Sequence, residues 1–191
     1  MMHSKEDYEL MSEAAIDLRI DYGFLDKKLD VFELAKKIGI SLVPYSSLKR
    51  TKKGWTAFCK LYKEEFKDGF TIIEKQTNGE WNFLTFFDDS IQITRQRFTI
   101  AHEIKHVIFR EENPSQKDEE LADFFARHLL VPPFLLDEYV RKNAFPDDVS
   151  FDFGVSYEVA NYALNNAIDL FFYNIPLKEW EIRFINLMKR K

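Results

Sequence analysis

The chain has 191 residues, of which 46% are hydrophobic, 16% aromatic and 31% charged; this excludes a disordered or low-complexity chain and leaves enough length to bury a core. The net charge of -5 draws on both signs, which argues against nucleic acid or an anionic membrane surface as the main binding target. The single cysteine, Cys59, excludes an intrachain disulfide and suits a reducing cytosol.

The opening segment "MMHSKEDYELMSEAAIDLR" has acidic residues early and no apolar core of export-signal length, and no later run is long enough to span a bilayer. A cytoplasmic location is therefore expected. From Lys5 to Leu18 apolar and charged residues recur at helical spacing, and "DVFELAKKIGI" repeats this with Val31, Leu34, Ala35 and Ile38 on one stripe. Gly39 stops the second helix, and "ISLVPY" then reads as a short strand bounded by Pro44. The stretch "KRTKKG" reads as a solvated basic loop. In "GFTIIEKQTNGEWNFLTFFDDSIQIT", runs of β-branched and aromatic residues are broken at Asn78-Gly79 and at Asp88-Asp89. The pattern predicts a three-stranded antiparallel meander over Phe70–Lys75, Trp81–Phe87 and Ile91–Thr94. A long helix follows, then a second, and "VPPFLLDEYV" restarts a helix after its two prolines. The whole reads as an α+β fold, mostly helical, with its small sheet beside the first long helix. Residues 1–145 are expected to form the main domain, and 146–191 a C-terminal helical segment packed on it or receiving substrate.

That first long helix carries "RQRFTIAHEIKHVIF", residues 95–109. At about 100° per residue, Thr99, His102, Glu103 and His106 share one arc, while Ile100, Ile104, Val107 and Ile108 form the adjoining core stripe. Histidines four apart project from one face and can hold one cation between them; Glu103 then reaches the flank where a water would bind. This is the zinc-peptidase pattern H-E-x-x-H. The plainer alternative is a polar stripe on a half-exposed helix.

A third ligand separates the two. Asn113-Pro114 breaks the helix, Ser115 or Asp118 can cap the next, and "EELADFFARHLLVP" continues it. On one face of this second helix lie Glu119, Ala122, Asp123, Ala126 and Leu130; the small alanines permit close approach to the His-bearing helix. Glu119 is then a third ligand and Asp123 a carboxylate able to accept the other ring N–H of a ligating histidine. Without a metal, Glu119 is helix-start charge and Asp123 a solvated group. His128 points elsewhere. Three protein ligands leave a fourth position for water, and the chemistry expected of the set is zinc-assisted amide hydrolysis with Glu103 as general base. An extended substrate could pair with the strand near Ser90 to Thr94 or with Trp81–Phe87. Tyr139 and Tyr157 are candidates for the group that faces the oxyanion.

"RFTIAHEIKH" followed by "EELADFFARHLLVP" resembles the ImmA/IrrE family of metallo-endopeptidases, gluzincin-like proteins with R-F-T-x-A-H-E-x-G-H and then E-x-x-A-N-x-F-A-x-x-L-L-x-P. "VFELAKKIGI" and "FGVSYEVANYAL" extend the likeness more loosely. The resemblance implies a zincin-like domain with Zn2+ on His102, His106 and Glu119, Glu103 as base, and Asp123 where the family often has Asn. Lys105 stands where the family pattern has Gly. It also implies a helix-turn-helix repressor as substrate, its cleavage lifting repression in a mobile element, prophage or stress response. A non-catalytic regulator acting by binding that repressor is the competing possibility. "FGVSYEVANYALNN" could itself form a DNA-binding helix-turn-helix, but its polar face offers acids and asparagines and little Lys or Arg, which argues against direct DNA contact.

Overall fold

The computed structural model of the protein describes residues 4–49, 56 and 68–191. The basic stretch 50–54, Trp55 and Cys59 lie outside the described residues. In chain order the elements are α1 (Lys5–Asp21), α2 (Val31–Lys37), β1 (Ile40–Pro44), α3 (Tyr45–Lys49), β2 (Gly69–Lys75), β3 (Trp81–Phe87), α4 (Ile93–Phe109) and α5 (Gln116–Leu130). A 3-10 turn (Pro133–Leu136), α6 (Asp137–Arg141), α7 (Pro146–Phe153), α8 (Tyr157–Phe172) and α9 (Glu179–Met188) complete the chain. The fold is α+β, and the chain divides into two compact units, Val31–Ser115 and Met1–Asp30 with Gln116–Lys191. Among the described residues no helix is long and apolar enough to cross a membrane.

In the unit Val31–Ser115 the strand order is β1-β3-β2. Strands β2 and β3 pair antiparallel, with Thr71 opposite Thr85 and Ile73 opposite Phe83. The Asn78-Gly79 turn joins them as the sequence predicts: Gly79 has φ 88°, which only glycine adopts without strain. The predicted all-antiparallel meander is corrected to a mixed sheet. Its third strand is β1, which runs parallel to β3 with Ile40 opposite Phe83 and Pro44 opposite Phe87. "IQIT" is no strand, because α4 starts at Ile93 and Gln96 donates its side-chain amide back to the Ile91 carbonyl at 2.8 Å, which holds the chain in a helix start. The two strand-addition sites expected from sequence fall with it: 90–94 is turn and helix, and β3 is central with partners on both sides.

Helix α4 packs on α2, β2 and β3. Of its predicted apolar row Ile100, Ile104 and Val107 are buried, at 1%, 0% and 4% exposure, while Ile108 at the edge of the row is only partly buried. The approach to the sheet is close at Gly69: a Cβ there would sit 2.6 Å from the Phe86 carbonyl oxygen and 2.7 Å from Thr99 Cγ2.

The unit formed by Met1–Asp30 and Gln116–Lys191 is helical. Ser4 caps α1 in a capping box, its Oγ accepting from the Asp7 N–H at 3.1 Å while Asp7 Oδ2 accepts from the Ser4 N–H at 3.0 Å. Helix α1 lies on α5, with the Tyr8 and Phe124 rings 4.7 Å apart. Arg19 is fully buried and donates to the Leu129 carbonyl at 3.1 Å and the Phe24 carbonyl at 3.1 Å, its charge spread over backbone acceptors and lying 5.1 Å from the Phe184 ring. Ile16, Phe134 and Phe184 form a core cluster closed by Trp180, Ile185 and Met188. Ser156 caps α8, its side chain accepting from the Val159 N–H, and Ala160 and Leu164 are buried.

Candidate metal centre

Helix α4 brings the two motif histidines into contact. Their rings lie 4.9 Å apart with planes tilted by 60°, and His102 Nε2 is 3.1 Å from His106 Nε2. One helical turn between them explains the proximity. Glu103 shares this part of the helix and is buried at 7% exposure. Glu103 also acts on a residue that the sequence did not mark: burial pushes the Tyr45 phenol up to about 12, and the charges of Asp88, Glu103 and Asp68 push the same way.

The proton on His106 is placed by a second carboxylate. Glu111 Oε2 lies 2.7 Å from His106 Nδ1, and Lys105 Nζ lies 2.6 Å from both Glu111 oxygens. A carboxylate flanked by an ammonium accepts from both sides, so His106 Nδ1 carries a hydrogen toward Glu111. With Nδ1 engaged by Glu111, Nε2 is the nitrogen of the ring that could bind a metal.

Local backbone explains how Glu111 reaches back to a helix it has already left. Arg110 closes α4 in the left-handed region (φ 54°, ψ 48°), and the Glu111 N–H donates to the His106 carbonyl at 2.9 Å. This αL closure reverses the chain over its own last turn and aims the next side chain at the His106 ring. Arg110 lacks glycine's freedom at positive φ; its guanidinium lies 5.2 Å from the Trp81 ring. No local pattern marks the arrangement, since Arg is no usual turn residue and lysine is ordinarily solvated. Lys105 is instead buried at 1% exposure.

His102 and His106 offer two ligand nitrogens in the unit Val31–Ser115, and Glu119 offers a carboxylate in the first turn of α5, in the other unit. The donors fit a small divalent cation. A tetrahedral shell with Zn–N near 2.0–2.1 Å puts two imidazole nitrogens about 3.3 Å apart, close to the separation of the two Nε2 atoms. Two neutral imidazoles and a carboxylate suit zinc and tolerate related ions. Asp123 lies near Arg127, with an oxygen 3.6 Å from Nη2.

His128 is partly buried: its Nδ1 donates to the Phe124 carbonyl at 3.1 Å, its ring stacks on Phe124 at 4.0 Å, and desolvation holds it down at about 4. Of the two tyrosines expected near an oxyanion, Tyr139 donates to Asp152, and Tyr157 is half exposed at the first position of α8.

Residues 90–165 match the family model of Peptidase M78, described as an IrrE N-terminal-like domain. No curated protein matches the chain.

Proposed function

We propose, from the match of residues 90–165 to the IrrE N-terminal-like model of Peptidase M78, that the protein is a zinc-dependent endopeptidase that cleaves a helix-turn-helix transcriptional repressor and so relieves repression. Zinc is assigned to His102, His106 and Glu119, the set that leaves one position open for water. The observation that carries this assignment is the histidine pair itself. Two Nε2 atoms face each other at 3.1 Å, one of them on a ring engaged by Glu111 at Nδ1. A helix that needed only a polar stripe has no use for a ring held by a carboxylate at Nδ1 or for a buried glutamate next to His102 in the chain.

When bound, the cation lowers the pKa of a water and polarises the scissile carbonyl. Glu103 takes the proton of the attacking water and returns it to the departing amine; its burial strengthens both transfers by excluding competing solvent. His106 keeps its proton on Nδ1 throughout, and Asp123 is assigned to a ring N–H of the ligand set.

The repressor as substrate rests on the likeness to ImmA/IrrE proteins. The test is incubation of the zinc-loaded protein with repressors encoded beside it. Two fragments with the wild type, and an intact repressor with Glu103→Gln at unchanged zinc content, are the expected results. A repressor that is bound tightly but never cut would replace the peptidase with a regulator that acts by binding.

A further inference from the structure

The residue that departs from the family pattern inside the motif is also the most deeply buried charge beside it. Lys105 has 1% exposure, and its Nζ sits 2.6 Å from each oxygen of Glu111, astride the carboxylate. The same carboxylate reaches His106 Nδ1 at 2.7 Å. One carboxylate thus joins a buried ammonium to a ligating imidazole.

A buried Lys–Glu pair is a poor way to gain stability, since desolvating the two charges offsets their attraction, and apolar residues of similar volume do as well. What the pair does supply is geometry. Glu111 is 19% exposed and attached to the chain beyond the helix end, so its carboxylate depends on partners from α4 for its orientation. Lys105, anchored on α4 directly before His106, fixes it. We infer that Lys105 is a positioning residue for the metal centre, acting through Glu111 to hold the His106 ring with its hydrogen on Nδ1 and its lone pair on Nε2. This rests on the zinc assignment above.

The donor count makes a sharp test. A carboxylate has acceptor positions for both Lys105 and His106; a glutamine amide has one oxygen and two N–H donors. In Glu111→Gln the oxygen turns to the Lys105 ammonium and the NH2 to His106 Nδ1, which forces the ring hydrogen onto Nε2, where the metal should bind. Removing the ammonium frees the amide oxygen to accept from Nδ1–H again. Lys105→Met should therefore rescue Glu111→Gln.

Two readouts apply to all four proteins: the zinc Kd from competition with a chromophoric chelator, and the His106 tautomer from 15N NMR of the metal-free protein at about pH 8, above the ordinary histidine range. Glu111→Gln should bind zinc about 10–100-fold more weakly and show His106 with Nε2–H, Lys105→Met should lose only a few-fold, and the double variant should return close to Lys105→Met. Thermal melts of the metal-free variants confirm folding; both changes preserve side-chain length. A double variant as weak as Glu111→Gln, or a tautomer that Glu111→Gln leaves unchanged, overturns the proposal. The tautomer is read without metal, so a wild type that takes up no zinc defeats the zinc assignment alone and leaves the pair to be decided by the NMR.

Discussion

Acidification should destabilise this protein through one histidine that touches no substrate. His128 lies in the last turn of α5, the helix whose first turn carries Glu119, and burial keeps its imidazole down at about 4 against an ordinary 6.5. The folded state therefore binds the proton less readily than the unfolded chain. Stability from this group is complete above pH 6.5, falls as the pH drops from there to about 4, and falls no further below, where both states are protonated. At about 1.36 kcal/mol per pH unit, the gap corresponds to roughly 3 kcal/mol. For a chain of this length that is about 6–12 °C in Tm. Metal-free protein should be melted across this pH range beside His128→Leu, because other titrating groups contribute equally to both proteins and cancel in the difference. The variant gives up the hydrogen bond to Phe124 and will be less stable at neutral pH, but the gap should close on acidification. Parallel curves at all pH values would refute the account of a desolvated neutral imidazole.

Glu103→Gln should retain zinc and lose about 10²–10⁴-fold in peptide cleavage, measured as the rate of fragment appearance, because only the proton acceptor is removed. Gly69→Ala should cost about 1–3 kcal/mol in urea unfolding, since its Cβ would press on the Phe86 carbonyl and Thr99, and the backbone oxygen cannot move without disturbing β3. At Arg110, held at φ 54°, valine should lower stability by about 1–2 kcal/mol while glycine stays within about 1 kcal/mol of wild type, compared by thermal melts.

Much of this was legible in the sequence, for physical reasons that also mark where legibility ended. The period of α1, α2 and α4 and the Asn-Gly hairpin are local, and each appears in the structure. Strand β1 was visible as "ISLVP", but its pairing was not: parallel pairing with β3 joins Ile40 to Phe83, a partner distant in sequence that no local pattern specifies. "IQIT" reads as a strand by composition, yet the Gln96 side chain bonding back to Ile91 makes it the start of α4. At the site, histidines four apart and the glutamate between them announce a metal chemistry by residue type alone. Glu111 does not, because its place depends on an arginine in a left-handed conformation; Lys105 does not, because lysine is ordinarily solvated and here has a carboxylate to meet.

The central claim is tested most directly by the metal that the purified protein carries. Elemental analysis of protein prepared without chelator should find about one zinc per chain in the wild type and little in His106→Ala or Glu119→Ala. A wild type that holds no zinc even after zinc is supplied would contradict the claim.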